Sequence, residues 1–165
     1  MRTMFALAPL LLALSFVSCT DQGPLPPLVP ELPGRPVIIV PSFPPPTVPR
    51  DAADIESTWV SHDNLYVDVR FQGGGTVHDF LCYAPDGFME SYPVQSPLTL
   101  SHDAHGDRGP LTMRTRLIFS LLPLKRLYVQ AYRPSYGSAE TIVLRVSGPA
   151  GDSARIWLVG YVFAR

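Results

Sequence analysis

Cysteine is nearly missing from this 165-residue chain, which has two, at positions 19 and 82. No multi-disulfide scaffold can be built from that pair. An excess of one charge is missing too. With a formal net charge of −1, no long-range field steers nucleic acid or acidic substrates to the surface, and a nucleic-acid partner is not expected. No apolar run reaches the ~20 residues of a membrane-spanning helix. The longest covers residues 5–17 and contains Pro9, which suits the core of a signal peptide. Catalytic signatures are equally scarce: no GxSxG, HExxH, P-loop or CxxC pattern occurs, and Asp86 with Glu90 would serve a hydrolase only if the fold placed them across a cleft. No window offers an amphipathic helix apart from "SLLPLKRLY", where Pro123 interrupts.

What is present begins at the N-terminus. Arg2 supplies a positive flank, residues 5–17 supply the apolar core, and "FVSC" follows, ending at Cys19. Those four residues resemble the lipobox of bacterial lipoproteins, with Phe16 in place of the usual leucine. The resemblance implies cleavage before Cys19, giving a signal peptide over residues 1–18, and acylation of Cys19. It implies a chain held to a membrane by two or more acyl chains, which anchor stably where one holds only marginally. Thr20 after the cysteine, rather than aspartate, implies export to the outer membrane or a periplasm-facing site in the cell envelope. Cys82 then has no partner; flanked by Leu81 and Tyr83, it reads as a small buried apolar residue.

Residues 19–50 read as a proline-rich linker. Eleven of the 19 prolines fall between residues 20 and 50, a composition that removes backbone donors and favours an extended polyproline spacer. "VIIV" at 37–40 is the exception: it is able to dock as an edge strand, outside the core. Residues 51–165 form one domain, expected to be all-β: a single antiparallel β-sandwich, immunoglobulin-like or similar, of seven to eight strands. "LYVDVRF" puts Leu65, Val67, Val69 and Phe71 on one face, and "LTMRTRLIFSL" puts Leu111, Met113, Thr115, Leu117 and Phe119 on one face. "RLYVQAY" alternates in the same way, with Tyr128 and Tyr132 beside Gln130 on the polar side, a surface able to stack on a sugar or peptide or simply to roof a sheet. "TIVLRV" and "RIWLVGYVF" are apolar on both faces and read as central strands. Residues 51–107 hold ten acidic residues against one basic, and residues 108–165 nine basic against two acidic. Interleaved strands would turn this into cross-strand ion pairs; separated ones would give a bipolar surface.

The four histidines all lie between positions 62 and 105, and His62, His78 and His102 are each followed by aspartate. Adjacent side chains of a strand point to opposite faces, so a His-Asp dipeptide cannot aim both groups at one ion. His78 shares a face with Phe80 and Cys82, and His102 with Leu98 and Leu100, which favours hydrogen-bonded structural histidines. A metal set of His78, His102, His105 and Asp107 is the alternative, its ligand types suited to zinc. Residues 73–121 also resemble an uncharacterised domain of small bacterial lipoproteins with a Gly-Gly-Cys, His-x-Phe, His, Asp-x-Cys pattern. Gly73, Gly74, His78, Phe80, His102 and Phe119 fit it; Gly75 and Arg108 stand at the two cysteine positions, which implies that these two residues are neighbours. The expected function is a membrane-anchored, non-enzymatic binding or structural domain with no cofactor, partnered by an envelope protein or glycan. The alternative is a metal-binding or metal-dependent hydrolytic domain.

Overall fold

A computed structural model describes residues 34–149 and 155–164. Cys19 and the signal-peptide segment lie outside the described residues. The described residues fold as a β-sandwich of nine strands and one helix. The strands are β1 (Arg35–Pro36), β2 (Ile38–Val40), β3 (Ala53–Ser61), β4 (Asn64–Gly73), β5 (Asp79–Pro85), β6 (Val94–Asp103), β7 (Leu111–Ser120), β8 (Ala139–Ser147) and β9 (Trp157–Ala164), with helix α1 (Leu122–Tyr132) between β7 and β8. One sheet has the order β1-β7-β4-β3 and the other β2-β5-β6-β8-β9. The expected sandwich is thus present, but its sheets are mixed rather than purely antiparallel: β1 with β7, β2 with β5, and β6 with β8 run parallel. These three pairings join segments far apart in sequence, and alternation within a strand carries no information about them.

The core lies between the sheets. Leu65, Val67 and Val69 of β4 face Phe80, Cys82 and Ala84 of β5, Leu98 and Leu100 of β6, and Ile142, Leu144 and Val146 of β8. Each such side chain contributes on the order of 1.5–3 kcal/mol by leaving water. On the outer face of the first sheet the acidic and basic halves of the sequence meet as ion pairs. Arg116 reaches Asp68 at 2.8 Å and Arg114 reaches Glu56 at 3.0 Å, while Arg70, itself in the acidic half, reaches Asp54 at 2.8 Å. The Arg116 guanidinium holds the Asp68 carboxyl below the usual carboxylate range. These pairs are largely exposed, so each adds little stability.

The fold begins earlier than the proline count implies. β1 joins the first sheet beside Phe119 and β2 joins the second beside Tyr83, so six residues strap one open side of the sandwich. Val37, between them, is 2% exposed and belongs to the core. Proline did not prevent this because the strap lies at sheet edges, where missing N–H donors are tolerated.

"LPLKRLYVQAY" is a helix, not a strand. Pro123 sits in its first turn, where a missing N–H costs nothing, and Leu124 and Tyr128, four residues apart, are its buried positions. "RIWLVGYVF" is an edge rather than a central strand: β9 ends its sheet.

Candidate functional site

The triple glycine meets His78-Asp79 and His102-Asp103 at one end of the sandwich, while His62-Asp63 forms the β3–β4 turn at the opposite end of β4. β4 enters the first connection between sheets at Gly73, and β6 leaves for the second at Asp103. Between them, Asp107 Oδ2 accepts from the backbone N–H groups of Gly74 at 3.0 Å, Gly75 at 2.8 Å and Thr76 at 3.0 Å. Its Oδ1 accepts from the Gly109 N–H at 2.7 Å. A Cβ at Gly73 would lie 2.7 Å from His78 Nε2, so only glycine allows the imidazole to settle there. The Gly109, Thr76 and Gly75 amides, and then His78, hold the Asp107 carboxyl well below the usual range.

His78 Nε2 lies 3.2 Å from Asp107 Oδ2, and its Nδ1 lies 2.8 Å from His102 Nε2. His102 Nδ1 is 3.1 Å from the Asp51 carbonyl oxygen. The rings are enclosed by aromatics, with Phe80 stacked on His102 at 4.2 Å and Phe71 at 4.6 Å from His78. The side chains of both His78 and Asp107 are 4% exposed, and His102 is 1% exposed.

This chain can be read proton by proton. The Asp51 carbonyl only accepts, so His102 Nδ1 donates to it. Burial lowers the basicity of His102, which leaves its Nε2 unprotonated and accepting; His78 Nδ1 therefore donates. An ionised Asp107 only accepts, so His78 Nε2 donates as well. Three hydrogen bonds thus run in line from the Asp51 carbonyl through both imidazoles to the Asp107 carboxylate.

The four residues of the alternative metal set do not converge. His105 pairs instead with Asp79, Nε2 to Oδ2 at 2.9 Å, and with Asp103; Asp79 foremost raises its basicity. His78, His102 and Asp107 come together as a line in which each nitrogen already faces a partner, not as lone pairs directed at one point. Among the described residues no three His, Cys, Asp or Glu side chains are disposed to hold a metal ion. Asp86 and Glu90 are exposed on the connection between β5 and β6. Cys82 is 1% exposed, and burial pushes its thiol up to about 12.

The tyrosine surface is corrected as well. Tyr128 is 7% exposed because the segment is helical and Tyr128 falls on its inward side. Its hydroxyl donates to Glu140 at 2.8 Å, and burial, then Glu140, pushes it up to about 12. Tyr132 is exposed, its ring 5.7 Å from Phe88, and Tyr92 and Tyr136 are more exposed still. Sequence reading missed Asp63, which accepts from the buried Tyr161 hydroxyl at 2.5 Å and from Lys125 at 3.4 Å. With Tyr161 98 positions away, no local signal marks that pair.

No helix among the described residues is long and apolar enough to cross a membrane. No protein-family model matches the chain, and no curated protein does. Solved structures resemble the described residues. A NigD-like immunity protein from Bacteroides caccae aligns with a TM-score of 0.51 at 18% identity, over 81% of this chain and 65% of its own. A Bacteroides vulgatus protein of unknown function gives 0.47 at 14% identity, over 81% of this chain and 57% of its own. A candidate lipoprotein from Bacteroides fragilis gives 0.47 at 11% identity, over 79% and 70%. The chain spans less than two thirds of the first two. At 18% identity the likeness to the Bacteroides caccae protein is one of fold alone.

Proposed function

We propose that this chain is a lipid-anchored cell-envelope protein whose β-sandwich binds or braces rather than catalyses. The observation that carries the reading is the charged, apolar, small-residue succession ending at Cys19, which supplies a site for acylation ahead of a folded domain. The cluster of His78, His102 and Asp107 supports the non-catalytic half. Its nitrogens and oxygens are bonded within the fold, so no group is held ready for a substrate. Exposed Tyr132, Tyr92 and Tyr136 offer apolar rings with polar tips, the chemistry that meets a glycan or an envelope protein. Radiolabelled fatty acid fed to a bacterial host will enter the wild-type chain and fail to enter Cys19→Ser; equal labelling of the two disproves the anchor.

A further inference from the structure

Two open sheets have four edges, and three of them resist a further strand. β1 is two residues long and ends in Pro36. β2 is three residues long and precedes Pro41. β3 carries exposed Asp54 and Glu56 around a register shift between Ile55 and Ser57. Short length, proline, charge and bulges are the devices by which sheet edges avoid pairing. β9, "WLVGYVFA", has none of them: eight residues without charge or proline. Among the described residues it pairs with β8 alone. On its outer face Leu158 is 65% and Val162 61% exposed, with Gly160 between them and nothing within 4 Å of where a Cβ would stand.

We propose that β9 pairs antiparallel with β9 of a second copy, about a twofold axis at Gly160, making one continuous sheet across two molecules. Directly opposed residues of an antiparallel pair lie on one face, so the register must keep outward residues against outward ones. Setting Gly160 opposite Gly160 places Leu158 against Val162 outside, and Trp157 against Phe163 and Val159 against Tyr161 inside. Every pair is apolar on apolar, and the glycine leaves the axis free of side chains. A self-complementary edge fits an isologous contact, in which both copies use the same patch. A foreign strand selected by charge would find nothing on β9 to read.

The register makes a covalent test possible in the full chain expressed in a bacterial envelope. Cα atoms directly opposed across a ladder lie about 4.5–5.5 Å apart, within disulfide range. Gly160→Cys will give a covalent dimer under mild oxidation, many-fold above the wild type, whose Cys82 is buried. Val143 lies opposite Gly160 on β8, so Val143→Cys stands roughly 14 Å from its copy and will stay at the wild-type level. Leu158→Cys and Val162→Cys will each crosslink weakly alone and strongly when coexpressed. Without cysteines, Val162→Lys will sediment as a monomer where the wild type sediments as a dimer. A monomeric Gly160→Cys, equal crosslinking of Val143→Cys, a Val162→Lys dimer, or capture of a different protein by Gly160→Cys would each overturn the proposal.

Discussion

A buried imidazole is stable only when both nitrogens have partners of the right polarity, and His102 meets that condition from two directions. Its Nδ1 donates to the Asp51 carbonyl, its Nε2 accepts from His78, and Phe80 covers its face. His102→Ala removes a wholly buried ring and orphans the carbonyl, costing about 2–4 kcal/mol in urea unfolding. The pH dependence has a definite sign. Because the fold lowers His102's affinity for protons, its contribution is present above the unfolded value near 6.5 and declines as pH falls below it. Asp107, held low by backbone amides, contributes above about 3.9 and is lost as pH falls below that. Wild-type stability will therefore decline in two stages on acidification, and His102→Ala will flatten the first; an unchanged slope between pH 7 and 5 contradicts this account. Part of the site was legible. Alternation assigned His78 to the face of Phe80, and His102 to that of Leu98 and Leu100, because side-chain direction in a strand is local. That His78 touches His102 was not, because it depends on β5 pairing with β6.

Elements were legible where pattern and propensity agreed and illegible where position decided. Proline reads as a helix breaker until it is known to be in the first turn, as Pro123 is. "VIIV" reads as a minor edge strand until Val37 is seen to point inward between two sheets. Both errors share one physical cause: a residue's meaning changed with its place in an element whose boundary no local rule sets. α1 also ends under strain. Arg133 takes φ 47° and ψ 51°, while its N–H bonds the Val129 carbonyl, a left-handed cap ordinarily given to glycine. A side chain there costs about 1–2 kcal/mol, and glycine's greater freedom in the unfolded chain offsets part of the relief. Arg133→Gly will thus stabilise the protein by about 0.5–1 kcal/mol, a rise of a few degrees in melting temperature by calorimetry. A fall would mean that the arginine side chain does more for the fold than its backbone costs.

At the scale of the whole fold, two crossing segments among the described residues tie the two sheets together besides the core. Along one side the strap of β1 and β2 bonds both sheets within six residues, with Arg35 reaching the Phe80 carbonyl at 2.8 Å. At the end near the histidines, the connection from β4 to β5 and the one from β6 to β7 both cross between sheets, and the Asp107 carboxylate ties them through Gly75 and Gly109. The resembled lipoprotein pattern has cysteines where Gly75 and Arg108 stand here, one in each connection. Gly75→Cys/Arg108→Cys is expected to oxidise to a disulfide, because one carboxylate already spans the two turns. It closes a loop of about 34 residues, for which chain entropy allows roughly 3–4 kcal/mol. The realised gain will be smaller. A Cβ at Gly75 would stand 3.2 Å from Asp107 Oδ1, so the carboxylate must shift and its hydrogen bonds to the turn weaken. Melting of the oxidised and reduced forms measures the balance. An oxidised form that melts several degrees higher places the two turns within bridging distance. Failure to oxidise, or no rise, separates them and removes the basis for matching this chain to that pattern.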